Sequence, residues 1–269
     1  MTEHTALYVY ALVPDRQGAA DGVTGLDGRP LRLVGVPGTT VAALVHDATP
    51  APFQGDDEQV RRWVAEQNRA VTAVWERTGS ILPMTFNVLV ADDAASGRSA
   101  ERRLADWITE QEADITGQLE ELAGRCELRV EITVDRTAAA AGDPEEGARE
   151  AGLDGRSPGM RRLLAKQREQ QARNEAGRLA DSLHAEIRQR LLSVAEDFRD
   201  RGPAHRTADE TGVLSAALLV RHEDIDAVGT VLSEVRARQP AVRIRFLGPW
   251  PPYTFTDARH RAYAQEAAP

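Results

Sequence analysis

The chain has 269 residues, of which 42% are hydrophobic and 28% charged, with a net charge of −9. That length suits two modest domains with real cores, and the acidic balance argues against a general nucleic-acid binder or a binder of anionic membranes. A single cysteine, Cys126, excludes an intrachain disulfide, Met1-Thr2-Glu3-His4 does not open a signal peptide, and no apolar run nears the ~18 residues of a bilayer span, so a soluble cytoplasmic protein is expected.

Ala6 to Val13 is almost wholly apolar and rich in β-formers, which predicts a buried central strand ended by Pro14-Asp15. A glycine-rich stretch runs to Gly28, and Leu31 to Val36 and Thr40 to His46 then read as two strands joined across Gly35 to Gly38. Asp56 with Gln59 resembles a capping box at a helix start, Val60, Trp63, Val64, Val71, Val74 and Trp75 share one face, and Gly79 stops the helix. Ser80 to Val90 is strand-like on both sides of Pro83, which marks an edge, bend or bulge. One further amphipathic helix carries Leu104, Trp107, Ile108, Ile115, Leu119 and Leu122. Glu127 to Val134 alternates, placing Leu128, Val130, Ile132 and Val134 on one face and Glu127, Arg129, Glu131 and Thr133 on a wet one. Residues 1–135 thus read as one antiparallel α+β domain with two helices covering one face.

Residues 136–159, rich in alanine, glycine, proline and acidic side chains, read as a flexible linker. Met160 to Arg201 lacks proline and reads as one long helix, polar from Lys166 to Arg178 and striped by Leu179, Leu183, Ile187, Leu191, Val194 and Phe198. Val213 to Val220 is a buried strand. Ile225, Val228, Leu232 and Val235 stripe another helix, and Val242, Ile244 and Phe246 alternate with Arg243 and Arg245 on a last strand. Residues 160–255 form a second, smaller α+β domain, and 256–269 a tail.

Chemistry is sparse. The six histidines are scattered, with no i, i+4 pair and none near Cys126, which reads as a small buried hydrophobe. There is no G-x-S-x-G, S-x-x-K or H-E-x-x-H motif, and Lys166, the single lysine, sits in neither a phosphate loop nor a Schiff-base context. Gly22, Gly25 and Gly28 lack dinucleotide-binding spacing and read as turn residues. Glu120-Glu121 and Glu145-Glu146 read as solvated surface. No enzyme, no metal and no cofactor are expected.

The most specific segment is Gly248-Pro249-Trp250-Pro251-Pro252-Tyr253-Thr254-Phe255. Three prolines restrict the backbone and remove three donors, so this is neither an ordinary helix nor an internal strand. Three aromatics on a rigid backbone lose little entropy on docking, which suits a clamp or recognition edge, or a staple across the chain's own core. Trp250, Tyr253 and Phe255 are the candidate partner-binding residues, with Tyr8 and Tyr10 behind them.

This octapeptide resembles the C-terminal signature of the gas vesicle protein L/F family. Tyr8-Val9-Tyr10-Ala11-Leu12-Val13 resembles the family's opening strand, and Gly25-Leu26-Asp27-Gly28 its next segment. Leu82-Pro83-Met84-Thr85-Phe86-Asn87 is similar to a Leu-Pro-(Met/Leu)-Arg-Phe-Gly block, Cys126-Glu127-Leu128 to a Glu-centred strand, and Ser215-Ala216-Ala217-Leu218 to an Asn-Ala-Ala-type strand. Departures are Thr85 and Asn87 where Arg and Gly are usual, Gln67-Asn68 where a His is common, and Gly159-Met160-Arg161 at the start of the long helix. The resemblance implies a two-domain α+β protein with a ferredoxin-like N-terminal domain. It also implies an accessory role in gas vesicle assembly, without catalytic residues, in contact with the hydrophobic shell protein and other vesicle proteins and with neither nucleic acid nor membrane. The alternative, a small-molecule-binding or catalytic ferredoxin-like domain, predicts a deep pocket with convergent polar groups between sheet and helices.

Overall fold

The computed structural model describes residues 5–140, 158–202, 207 and 209–256. It is a mixed α+β protein with two antiparallel sheets, and it divides into two compact units, 1–126 with 250–269 and 127–249. Most of the expected linker, residues 141–157, and the tail from 257 lie outside the described residues.

The first unit is organised around β1 (Ala6–Pro14), in which every residue from Ala6 to Val13 is buried. An antiparallel partner, β3 (Val41–Ala48), lies on one side and carries β2 (Arg32–Gly35) at its far edge. On its other side β1 pairs with β4 (Leu82–Pro83) and β5 (Leu89–Ala91). Pro83 ends the two-residue β4 instead of sitting within a longer strand, as its missing donor requires. Because both alternating faces of β1 are buried, this sheet is covered on both sides, where the sequence suggested one.

Three helices supply the cover. α1 (Asp57–Thr78) starts where the Asp56 carboxylate accepts from the Gln59 amide at 2.8 Å and stops at Gly79, which is left-handed at φ 76°. The single helix expected after residue 100 is two, α2 (Ala100–Glu110) and α3 (Glu112–Glu121), broken at Gln111, whose φ, ψ of −106°, 9° leave the helical range. Ile108 and Ile115 are nonetheless both buried, because a break with no insertion keeps the apolar stripe on one side.

The second unit starts on β6 (Arg125–Asp135) and continues through α4 (Arg136–Ala140), α5 (Pro158–Leu192), β7 (Asp197–Asp200), β8 (Glu210–Arg221), α6 (Ile225–Arg238) and β9 (Val242–Trp250). Apart from the short α4 the order is βαββαβ, and the sheet runs β7-β8-β6-β9. That is the ferredoxin-like arrangement. It lies in the second unit; the first has no α-helix between β1 and β2. The boundary expected at residue 135 also moves to Cys126, because β6 supplies a middle strand of the second sheet. The long helix ends nine residues before Arg201, and Phe198 sits on β7, paired with Leu218. With no proline between Met160 and Pro203, nothing in the residue pattern marks a stop there.

β6 carries one further correction. Glu127, assigned to a wet face, is fully buried. Its Oε1 accepts from Arg129 Nε at 2.8 Å and lies 3.8 Å from Arg201 Nη1, so two guanidinium groups offset the desolvation of one carboxylate. The neighbouring edge is tied by Arg243 to Asp135 at 2.9 Å and Arg245 to Glu131 at 3.5 Å, cross-strand pairs in antiparallel register. Gly248 closes that edge at φ 124°, where a Cβ would stand 2.8 Å from the Glu127 carbonyl oxygen and 3.0 Å from Leu128. Gly248→Ala is therefore expected to destabilise the protein by about 2–4 kcal/mol in chemical denaturation; a loss within ~0.5 kcal/mol would show that the close approach relaxes freely.

Candidate functional site at helix α1

Motifs far apart in the chain converge on the middle of α1. On its buried side Gln67, 5% exposed, accepts at Oε1 from the Tyr8 hydroxyl (2.7 Å) and donates from Nε2 to the Met84 carbonyl (2.9 Å). The Tyr8 oxygen in turn accepts from the Asn87 amide at 3.0 Å. The Tyr10 oxygen accepts from the Leu26 amide at 2.8 Å, and the same hydroxyl is hydrogen-bonded with His46 Nδ1, 2.9 Å away. Tyr10 lies where the β1–β3 register slips between Val9 and Ala11, a bulge that re-aims side chains.

The glycine-rich segment is fastened to the same helix. Asp27 is left-handed at φ 50°; its Oδ1 accepts from Trp63 Nε1 and Arg62 Nη2, each at 3.0 Å, while its amide donates to Glu66 Oε2 at 2.9 Å. Gly25 meets Tyr10 so closely that a Cβ would lie 2.0 Å from the phenol oxygen. Gly22 and Gly28 have φ of 70° and 73°, in keeping with their reading as turn residues.

Around these bonds Tyr8, Tyr10, His46, Phe53, Trp63 and Phe86 form one aromatic cluster, with Phe53 edge-on to Tyr8 at 5.5 Å and to Trp63 at 5.1 Å. The space between the sheet and α1 at the level of Gln67 is thus filled by side chains. Asn87 explains its own departure from the family motif. At φ 69° the position favours glycine, asparagine tolerates it, and the side chain then bonds the Phe53 amide (2.8 Å) and carbonyl (2.9 Å).

The octapeptide splits between the units. Gly248 and Pro249, joined by a cis peptide, end the second, and Trp250 onward belongs to the first. There Pro251, Pro252 and Phe255 are buried, and Trp250 and Tyr253 are half-buried. The Tyr253 hydroxyl donates to Asn68 Oδ1 on α1 at 3.0 Å, and the segment curls on itself through Tyr253 N–H to Pro251 O (2.7 Å) and Phe255 N–H to Pro252 O (3.0 Å). Of the five candidates, Trp250 and Tyr253 keep surface, and Phe255 is an anchor. Tyr8 and Tyr10 are fully buried with their hydroxyls consumed by Gln67, Asn87, Leu26 and His46, so they offer nothing to a partner. Val64, expected in the core, is 37% exposed one helical turn from Asn68. In the sequence Gln67 and Asn68 show only as a departure from the family pattern and Asp27 only within a glycine-bounded segment; a glutamine one turn from Trp63 and from Val71 on an apolar stripe is the signal for a structural role of the first.

The titratable groups serve packing. Burial, with Arg29 nearby, depresses His46 from 6.5 to about 4, so the ring is neutral at pH 7. Burial pushes the Cys126 thiol up to about 11, away from nucleophile chemistry, and raises both tyrosine hydroxyls. Among the described residues no three His, Cys, Asp or Glu side chains gather to hold a metal, and no helix is long and apolar enough to cross a membrane.

The fold and site define a mixed α+β protein whose C-terminal proline–aromatic segment is folded back onto its first helix. The family model described as gas vesicle synthesis protein GvpL/GvpF matches residues 6–257, and the chain belongs to that family. Gas vesicle protein L2 of Halobacterium salinarum is 32% identical over 92% of this chain and 90% of its own length. Gas vesicle protein L of Streptomyces sp. is 29% identical over 92% and 91%. The crystal structure of the gas vesicle protein GvpF from Anabaena sp. superposes with a TM-score of 0.66 at 18% identity, covering 94% of this chain and 96% of that one, which shows the shared fold.

Two outcomes test the site as described. The unfolded chain takes up the His46 proton at the ordinary value of 6.5 and the folded protein only near 4, so this contribution is complete above pH 6.5 and is lost as pH falls toward 4. The loss should be on the order of 2–3 kcal/mol, read by urea unfolding at each pH, and absent from the corresponding difference in His46→Gln. At position 87, Asn87→Gly should cost about 1 kcal/mol in lost hydrogen bonds, and Asn87→Ala about 2–3 kcal/mol, because alanine adds left-handed strain. An alanine variant as stable as the glycine one would contradict the backbone argument.

Proposed function

We propose that this protein is a non-catalytic accessory factor of gas vesicle assembly that holds the hydrophobic shell protein, and through it other vesicle proteins, before and during shell growth. Family membership supports the vesicle role. The observation that supports the binding role is the mounting of the terminal segment. Phe255 and two prolines are sunk into the first unit, the Tyr253–Asn68 bond fixes the turn, and Trp250 and Tyr253 are left half-exposed. Exposed apolar surface on an unassembled shell subunit would drive aggregation. A pre-rigidified aromatic edge covers such surface with little loss of entropy, and anchors of ~2 kcal/mol each suffice for reversible capture. The buried, neutral His46 and the raised Cys126 thiol fit a binding role better than a catalytic one. An acidic chain of this composition acts in the cytoplasm and on the vesicle without nucleic acid or membrane as partner.

Pull-down of shell protein by wild type, Trp250→Ala and Tyr253→Ala, each checked for equal thermal stability, tests this reading. Each variant should retain about a tenth or less of the wild-type capture, from the loss of roughly 1.4 kcal/mol or more per anchor. Undiminished capture by folded variants would reduce the segment to a staple for the chain end.

A further inference from the structure

Between α1 and the glycine-rich loop that follows β1, the first unit has an open cleft of about 410 Å³. Its helical wall carries Glu66, Arg69 and Arg77, with the small side chains of Ala70 and Ala73 between them. Steps of three and four residues put these positions on one face of α1. Thr24, Gly22 and Gly28 stand on the loop wall. Gly22 and Gly28 are left-handed, which accounts for the residue type, and a Cβ at either would meet nothing within 4 Å. The loop therefore turns bare backbone toward open space at these two positions.

The two walls are tied at both ends. Asp27 holds the loop to Trp63, Arg62 and Glu66, as described above. At the other end Arg77 Nη1 donates to the carbonyls of Ala19 (3.0 Å) and Asp21 (2.8 Å). The spacing of helix and loop is thus set before any ligand arrives, which lowers the entropic cost of binding.

The charges on this cleft are unevenly spent. Arg69 is exposed and makes no hydrogen bond or ion pair among the described residues. Arg77 has committed only Nη1, so its guanidinium is held in place with donors to spare. Glu66 is the acidic side chain of the wall, and its Oε2 already accepts from the Asp27 amide at 2.9 Å. Two guanidinium groups against one carboxylate leave the wall with one excess positive charge. In a chain whose carboxylates outnumber its Lys and Arg by 42 to 33, that excess is a local feature and selects an anion.

The placement of the donors selects among anions. Arg69 and Arg77 reach in from the helix, and the Thr24 hydroxyl stands on the opposite wall. A planar carboxylate is best met by a single fork of donors, whereas a tetrahedral phosphate accepts from several directions at once. We propose that this cleft binds a phosphate group, free or as the monoester of a small molecule, between Arg69, Arg77 and Thr24. The volume is in the range of specific small-ligand pockets and exceeds what the phosphate alone needs. The site is separate from the Trp250–Tyr253 edge and does not rest on the shell-protein reading.

The test is an NMR titration of the full chain at low ionic strength, following the Gly22, Thr24, Gly25 and Gly28 amides. The probes are inorganic phosphate, glycerol 3-phosphate and acetate, each added to wild type, Arg69→Gln and Arg61→Gln. Arg69 has no partner to lose, so Arg69→Gln should fold with an unchanged Tm; Arg61→Gln removes the same charge from α1 outside the cleft. Inorganic phosphate should shift the four amides saturably, with a Kd on the order of 1 mM. Arg69→Gln should weaken this about tenfold, the loss of one charge-assisted pair, and Arg61→Gln less than about twofold. Acetate should bind about fivefold more weakly than phosphate, or worse. Glycerol 3-phosphate binding at least as well as phosphate assigns the ligand to the monoesters, and its exclusion while phosphate still binds assigns it to the free ion. Absence of saturable shifts, an unchanged affinity in Arg69→Gln, or equal losses in the two arginine variants would overturn the proposal. Acetate binding as tightly as phosphate would overturn the choice of phosphate.

Discussion

The Gln67 amide sets where everything else in the first unit lies. Apolar contacts between a helix and a sheet are nondirectional, and an aromatic cluster of this kind could tolerate a shift of α1 along β1. The amide cannot. Its oxygen requires the Tyr8 hydroxyl on β1 and its nitrogen the Met84 carbonyl just after β4, and at 5% exposure an unmade bond has no water to replace it. With α1 held in that register, Trp63 and Arg62 meet Asp27 on one flank, and Asn68, the next residue along, presents its oxygen to Tyr253 on another. The position of the terminal aromatic segment follows from a buried side-chain amide near the other end of the chain.

The second unit uses a different device for the same purpose. Its βαββαβ order makes β6 a middle strand, and Glu127 is buried there against two arginines. A hydrophobic residue could fill that volume at similar or lower free energy. A carboxylate adds directionality, since Arg129 lies on the same strand and Arg201 just beyond β7. The helix ends of the two units are likewise set by local rules, an aspartate cap on α1 and Asp135 capping α4 while bonded to Arg243.

Elements with a strong periodic signal and clear punctuation were legible: β1, the β2–β3 pair, α1 between Asp56 and Gly79, α6 and β9 all stand where their residues indicate. Legibility failed where the deciding contact is long-range. Glu127 alternates with apolar residues and so reads as wet, while part of what makes its burial tolerable, Arg201, is distant in sequence. β7 is four residues long and follows a helix without proline or glycine between them, so propensity carries the helix through it. The resemblance implies the ferredoxin-like order for the N-terminal half, whereas with β6 as its first strand and β7 as its second that order falls in the second unit. At the site, Tyr8 and Tyr10 show as aromatics but not as hydrogen-bonding centres, since their partners come from α1, β3 and the loops near Leu26 and Asn87.

The octapeptide unites these themes. Its conformation is over-determined: Gly248 has no room for a side chain, Pro251, Pro252 and Phe255 are sunk, and Tyr253 is bonded at both its amide and its hydroxyl. A segment held this firmly could end as a staple, with all its aromatic area spent inside. Instead the burial is graded, deepest at Phe255 and shallower at Tyr253 and Trp250, with Val64 exposed one turn from Asn68. Anchoring one ring deeply is what makes two others rigid, and rigid rings are the ones that bind at low entropic cost. On the proposed reading, structural and recognition roles are therefore not rivals for this segment: the first is the condition for the second.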